Sequence, residues 1–278
     1  MSVIIGIDVG GSTTKIVGFL QNGDKRELIA PQFVRANDPI TATYGAFGKF
    51  TDENRISIKE IDKIMMTGVG SSFVKRDLYG IECIRVPEFG AIGRGGLYIS
   101  GLKNALVVSM GTGTAIVHAT EEGMRYLGGT GVGGGSLMGL SKLLLSAETI
   151  QHIEEYAATG DLSKVDLRIK DITEKGQKLL FEELTASNFG NVSDLAAKED
   201  IALGILNMVY ETIGMVSIFA ARSVGVDKIV LTGNLTRLAF CRDKFDFFNS
   251  MKETYGMNFL LPVSAEYATV IGTALHGF

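Results

Sequence analysis

Three features of the sequence predict an α/β protein made of two related units, each a mixed sheet flanked by helices. Short runs rich in β-branched residues alternate with segments of helical spacing along the whole chain. The succession of strand, Gly/Thr-rich turn and strand occurs twice, over residues 3–20 and again over 104–119. Glycine, 35 of 278 residues, is nearly twice its usual ~7%, whereas there are only four prolines. These glycines follow apolar runs, where a missing side chain lets backbone amides approach a ligand and lets φ turn positive. A chain of this length that is 46% hydrophobic has material for about two domains and needs no disulfides.

Residues 3–9 form the first apolar strand, and Gly10-Gly11-Ser12-Thr13-Thr14 turns it into a second run at 15–20, a hairpin with a hydroxyl-rich turn. A third strand is expected over 25–33 and a helix over 41–50. Residues 63–66 make a buried strand ending in Thr67-Gly68-Val69-Gly70, and 81–86 another short one. Pro87-Glu88 then opens a helix to about residue 100, both residue types being favoured in a first helical turn. Strands at 104–108 and 115–119 flank Ser109-Met110-Gly111-Thr112-Gly113-Thr114. After Arg125-Tyr126-Leu127, the glycine-rich stretch 128–136 reads as a loop feeding a helix over 137–146. Further helices are expected over 147–158 and 173–184, and a long one over 194–223 broken by Gly204 and Gly214. A strand and turn at 228–234, helical structure at 235–255, a strand at 258–261 and a closing helix at 265–276 complete the chain.

With 27 Lys+Arg against 31 Asp+Glu the net charge is −4, which excludes a chain disordered overall and argues against nucleic acid as a partner. Mean hydropathy is high at +0.22. Yet no stretch approaches the ~18 uncharged apolar residues of a membrane span, and the first residues lack a basic segment with a cleavage site, so a cytoplasmic protein with no membrane partner is expected. Cys83 and Cys241 have no CxxC spacing and are expected as small buried apolar residues. His118, His152 and His276 share no spacing that fits a metal or a triad.

The chemistry concentrates at the turns. Asp8, at a strand end before Gly10, Gly11, Ser12 and Thr13, sets a carboxylate beside amides and hydroxyls that suit phosphate oxygens; Mg²⁺ could join the two through water. Lys15 adds a positive charge. Gly111, Thr112, Gly113 and Thr114 repeat the arrangement, and two such turns facing each other would present two phosphate loops to one nucleotide. The glycines before Ser136 lead into a helix start, the geometry of an anion site. Glu88 is a carboxylate at a helix start near these loops, placed to accept an alcohol proton.

These segments carry a resemblance. Gly6-Ile-Asp-Val-Gly-Gly-Ser-Thr-Thr-Lys15, Ser109-Met-Gly-Thr-Gly-Thr114 and Leu231-Thr-Gly-Asn234 resemble the two phosphate segments and the adenosine segment of the actin, sugar-kinase and heat-shock-ATPase superfamily. Within it the chain is most similar to type II pantothenate kinases, through Met66-Thr-Gly-Val-Gly70, Val86-Pro-Glu-Phe-Gly-Ala91, Tyr126-Leu-Gly-Gly-Thr-Gly-Val-Gly-Gly-Gly135 and Ala268-Thr-Val-Ile-Gly-Thr-Ala274. The resemblance implies two ribonuclease-H-like (actin-like ATPase) domains, residues 1–100 and 101–278, the second carrying dimerisation helices. It implies ATP and Mg²⁺ as cofactors and Glu88 as general base on the pantothenate hydroxyl. Gly134, Gly135, Ser136, Leu137 and Met138 would cover the triphosphate, and Gly233 and Asn234 would approach the adenosine. A homodimer, with coenzyme A or acyl-coenzyme A as inhibitor, is implied as well.

The chain departs from the family at one point. The family's substrate-contacting arginine aligns with Tyr126, and Arg125 lies one residue earlier, on the opposite face of a strand unless the register slips. Arg125 and Tyr126 are therefore the candidate acceptor-binding residues beside Glu88, with Arg94 two turns along the helix. The competing functions are a kinase for another small alcohol such as an N-acetylhexosamine, an ATP-driven dehydratase activator, and a non-catalytic binder of ATP or coenzyme A. The Asn-Asp acceptor pair and Cys/His cluster of many sugar kinases are absent, and neither cysteine follows the second phosphate motif where an activator's cluster ligands belong.

Overall fold

The computed structural model describes residues 2–11, 13–35, 38–173 and 182–278. Strands β1 (Ser2–Val9), β2 (Thr14–Asn22), β3 (Lys25–Val34), β4 (Ile61–Thr67) and β5 (Cys83–Arg85) form one sheet in the order β3-β2-β1-β4-β5. Strands β6 (Asn104–Met110), β7 (Thr114–Thr120), β8 (Met124–Thr130), β11 (Lys228–Thr232) and β12 (Asn258–Leu260) form the second, in the order β12-β11-β6-β7-β8. A short pair, β9 (Leu167–Arg168) and β10 (Thr185–Ser187), stands apart. Each five-stranded sheet has an antiparallel meander of three strands whose first member pairs in parallel with the next. The two expected units are thus copies of one topology.

The helices are α1 (Pro39–Glu53), α2 (Glu88–Ser100), α3 (Gly134–Leu145), α4 (Ile150–Ala157), α5 (Lys198–Val224), α6 (Ala239–Ser250), α7 (Lys252–Tyr255) and α8 (Ala268–Leu275). Phe47 and Phe50 of α1 pack on one face of the first sheet with Ile5, Ile7 and Ile64. The other face takes α8, through Val270, Ile271 and Ala274 against Val17 and Phe19. In the second sheet α5 supplies Ile205, Val209, Tyr210 and Ile213 to the largest core, while α2 covers the opposite face with Ile92 against Val107 and Val117. The boundary expected at residue 100 falls just after α2, but packing crosses it. Helix α2, from the first segment, lies on the second sheet, and α8, from the end of the chain, lies on the first.

These two helices meet at the waist of the molecule, where neither tolerates a side chain. A Cβ built at Gly95 would run into the Ala268 carbonyl, and one at Gly272 into the Ala91 carbonyl. Small residues at the crossing bring the two backbones into direct contact, so the sheets share one joint.

Four expectations are corrected. Gly128, Gly129 and Thr130 belong to β8 rather than to the loop, because Gly129 and Thr130 pair with Ala115 and Thr114. The closing helix is shorter at its start, with Ala265–Tyr267 forming a 3-10 turn before α8. Helix α5 runs unbroken over 27 residues. Its glycines make room for neighbours: a Cβ at Gly214 would lie 2.6 Å from the Phe248 ring, and one at Gly204 2.8 Å from Val165. Finally, α5 is long and apolar enough to cross a membrane by length and composition, although 67% of its most apolar window is packed inside the protein. Most of the helix expected over 173–184 lies outside the described residues; residues 182–184 form a turn leading into β10.

Helix α5 also carries a buried polar cluster. Asn207 Nδ2 donates to Asp166 at 2.8 Å and to Glu211 at 3.2 Å, and Lys244 Nζ donates to Asn207 Oδ1 at 2.7 Å while lying 3.4 Å from Glu211. Burial lowers the Lys244 pKa, and the Glu211 carboxylate opposes that shift.

Candidate active site

The turns at the ends of β1 and β6 face one cleft of about 650 Å³ between the sheets. Asp8, Gly10, Gly11, Thr13 and Lys15 line one wall, and Gly111, Thr112, Gly113 and Thr114 the other. Ser12 lies outside the described residues. Gly233 and Asn234 reach the cleft from the end of β11, and Glu88 and Tyr126 close its remaining side.

Asp8 and Lys15 are cross-strand partners in the β1–β2 hairpin. Burial raises the Asp8 pKa, partly offset by the Lys15 charge, and burial lowers that of Lys15, with Asp8 opposing. Lys15 Nζ donates to the Glu266 carbonyl at 2.5 Å. The carboxylate is approached so closely by the end of β4 that only glycine fits there. Gly68 has φ +85°, and a Cβ on it would lie 2.6 Å from Asp8 Oδ1.

The second turn is braced from behind. Gly134 and Gly135 donate their amides to the carbonyls of Gly111 and Thr112, at 2.9 and 2.8 Å, and Thr114 Oγ1 donates to the Val132 carbonyl. The bracing comes from the glycine-rich helix start that was expected over the triphosphate. Gly134 and Gly135 spend their amides fixing the phosphate turn, Ser136 Oγ donates to the Gly131 carbonyl at 2.8 Å, and the Leu137 side chain is wholly within the core. None of the four lines the cleft, whereas Gly129, Thr130 and Gly131 do.

Met138 of α3 belongs to an adjoining cavity of about 440 Å³. It shares Thr13, Lys15 and Asn234 with the first and is lined further by Phe33, Arg35, Glu148, Thr149 and Arg237. The two spaces therefore adjoin at Lys15.

Glu88 is the first residue of α2, with Pro87 in the N-cap position. Desolvation raises its carboxyl pKa above the ordinary 4.5, and the Asp8 charge adds to the shift. Tyr126 lies in the cleft and Arg125 does not. Arg125 pairs with His118 in the β7–β8 register, and the bulge in that pairing comes at Leu127, after both residues, so it leaves them on opposite faces. Of the two candidate acceptor residues, Tyr126 thus lines the cleft and Arg125 takes the opposite face of β8. Arg94 donates to the Leu275 carbonyl at 3.0 Å, tying α2 to the end of α8. Tyr126 stacks on Phe89 with ring centroids 3.9 Å apart and planes 10° from parallel.

Sequence reasoning missed Gly68 and Val69, although a signal was present. Thr67-Gly68 at the end of β4 and Thr232-Gly233 at the end of β11 are equivalent, with φ +85° and +94°, and each glycine sits against the end of its sheet's first strand. Arg237 and the 148–151 segment carried no such local mark.

Comparison with known proteins places this geometry. A family model described as Fumble matches residues 102–244. A type II pantothenate kinase of Bacillus cereus (strain G9842) is 30% identical over 245 residues, 84% of each chain. One from Oceanobacillus iheyensis is 34% identical over 165 residues, 56% of this chain and 62% of that protein. Among solved structures, the activator of 2-hydroxyisocaproyl-CoA dehydratase from Clostridium difficile, with bound ADPNP, superposes with a TM-score of 0.67 at 16% identity, covering 99% of this chain and 93% of that one. A ROK family glucokinase from Streptomyces griseus, in complex with glucose and AMPPNP, gives 0.63 at 11% identity over 99% of both chains. These structural likenesses show the actin-like ATPase and sugar-kinase fold. Matched over 84% of its length by a relative that is 30% identical, the chain belongs to the type II pantothenate kinase family.

Proposed function

We propose that this protein transfers the γ-phosphoryl group of ATP to the primary hydroxyl of pantothenate, the first step of coenzyme A biosynthesis. The observation that carries this reading is that Glu88 opens onto the same cleft as both phosphate turns.

The residues divide the work. The turn around Gly10 and Gly11 and the turn around Gly111 and Gly113 line the cleft together with Lys15; Gly10 and Gly111 close the turns through their own amides, to the carbonyls of Thr13 and Gly113, and the backbone so shaped suits phosphate oxygens. Asn234 and the adjoining cavity hold the nucleoside. Ionised Glu88 accepts the hydroxyl proton as the alcohol oxygen attacks γ-phosphorus and ADP leaves. Catalysis of this kind is chiefly positioning and electrostatics, which suits a site built from braced backbone turns. Asp8 fits Mg²⁺: it is a hard oxygen donor that lines the cleft beside the first phosphate turn. A bound Mg²⁺ would neutralise charge developing on the phosphates. Closure of the sheets about the α2–α8 joint would exclude water.

The same reading carries a homodimer through α5, where Phe219 is 58% exposed, and end-product inhibition by coenzyme A or acyl-coenzyme A. The dehydratase-activator alternative is disfavoured by where the cysteines lie: Cys241 of α6 is wholly buried in the core of the second sheet and Cys83 stands on β5 of the first. A coupled ADP-release assay with Mg·ATP tests the function. Pantothenate should stimulate release above the no-acceptor rate and N-acetylglucosamine should not; the reverse order would make the chain a kinase for another alcohol.

A further inference from the structure

The acceptor end of the cleft is chemically one-sided. The stacked pair of Phe89 and Tyr126 is 40% and 47% exposed, and Val69, at the position equivalent to Asn234 on the nucleotide side, is 70% exposed. A Cβ built at Gly129 would lie 3.3 Å from the Tyr126 hydroxyl, so the ring extends from β8 back along the cleft wall toward the phosphate turn.

Among the described residues, no cation is placed at this end. Among the described residues lining the cleft, Lys15 is the only one, and it is buried beside Asp8 with its ammonium on the Glu266 carbonyl. Arg125 lies on the far face of β8, and Arg94 is turned to the Leu275 carbonyl. The charges that do face the cleft there are the carboxylates of Asp8 and Glu88. Pantothenate has its primary alcohol at one end and a carboxylate at the other. With the alcohol at Glu88, that carboxylate would lie along an aromatic wall in a site already holding two negative groups and about to receive a triphosphate, a placement that Coulomb repulsion and desolvation both oppose. A flat amide and an alkyl chain gain from the same wall.

We infer that the acceptor subsite selects the uncharged, amide-extended form of its substrate, a pantothenate amide that keeps the primary alcohol, over the free acid, with Tyr126, held by its stack on Phe89, as the specificity-determining residue. This inference rests on the kinase reading above and narrows its acceptor.

The test compares kcat/KM for pantothenate and for its N-pentyl amide with the unmodified protein and saturating Mg·ATP. The amide should be favoured by about ten-fold or more, chiefly through KM. Tyr126→Arg should lower the KM for pantothenate and erase the preference. Equal or better use of pantothenate by the unmodified protein would overturn the inference and leave the kinase standing. Release of ADP that neither acceptor stimulates would refute the kinase reading and this inference together.

Discussion

Glu88 must be ionised to accept a proton, and its surroundings resist ionisation. Desolvation raises its pKa above 4.5 and the Asp8 charge adds to it. The sign follows: kcat/KM should fall as pH drops through this raised value, so the acid limb of the pH profile should centre above 4.5, and Glu88→Gln should remove the limb along with most of the activity. Because the native value exceeds the unfolded one, folding is favoured below 4.5 and that contribution is lost as pH rises through the native pKa; Glu88→Gln should therefore leave the free protein's melting temperature at pH 7 no lower than before. Glu88, Asp8 and the two Gly/Thr turns were legible in the sequence because each is a local mark, a strand end followed by glycine or an acid after proline. The stacking of Tyr126 on Phe89 was not, since α2 and β8 meet only through the fold, and neither was Arg237 at the nucleoside cavity.

The α2–α8 crossing makes the sharpest demand of any element. Gly272→Ala would press a methyl group onto the Ala91 carbonyl, and backbone on both sides leaves nothing flexible to yield. It should cost about 3 kcal/mol, the upper end for overpacking, read as a lower urea midpoint. Lys244→Met tests the other buried device. It would leave Glu211 and Asn207 without their cation in a nearly closed interior and should cost about 3 kcal/mol by the same measurement. Element starts were readable where chemistry punctuates the chain, as at Pro87-Glu88. Glycines inside α5 misled, because a helix accommodating a neighbouring ring uses the residue that a helix break uses, and only the packing of Phe248 distinguishes them. The glycines of β8 misled likewise, since strand pairing with β7 overrides their local preference for a loop.

On the scale of the whole molecule, two copies of one sheet topology face each other across a nucleotide-sized cleft and share a helical joint. The duplication was legible in the repeated strand–turn–strand pattern; the exchange of α2 and α8 between the sheets was not, because nothing local says which sheet a helix will cover. A ligand seated in the cleft binds only the folded chain, so an ATP analogue at about a hundred times its Kd should stabilise the protein by about 2.7 kcal/mol, visible as a rise in melting temperature. The central claim is that one cleft both holds ATP and delivers its γ-phosphoryl group to an alcohol activated by Glu88. Single-turnover transfer of γ-labelled phosphate to the acceptor, with nucleotide affinity measured alongside in the unmodified protein and in Glu88→Gln, tests it most directly. The account expects label on the acceptor, a loss of roughly 10²- to 10⁴-fold in the variant and an unchanged Kd for nucleotide. Transfer that survives in Glu88→Gln at the unmodified rate would contradict it.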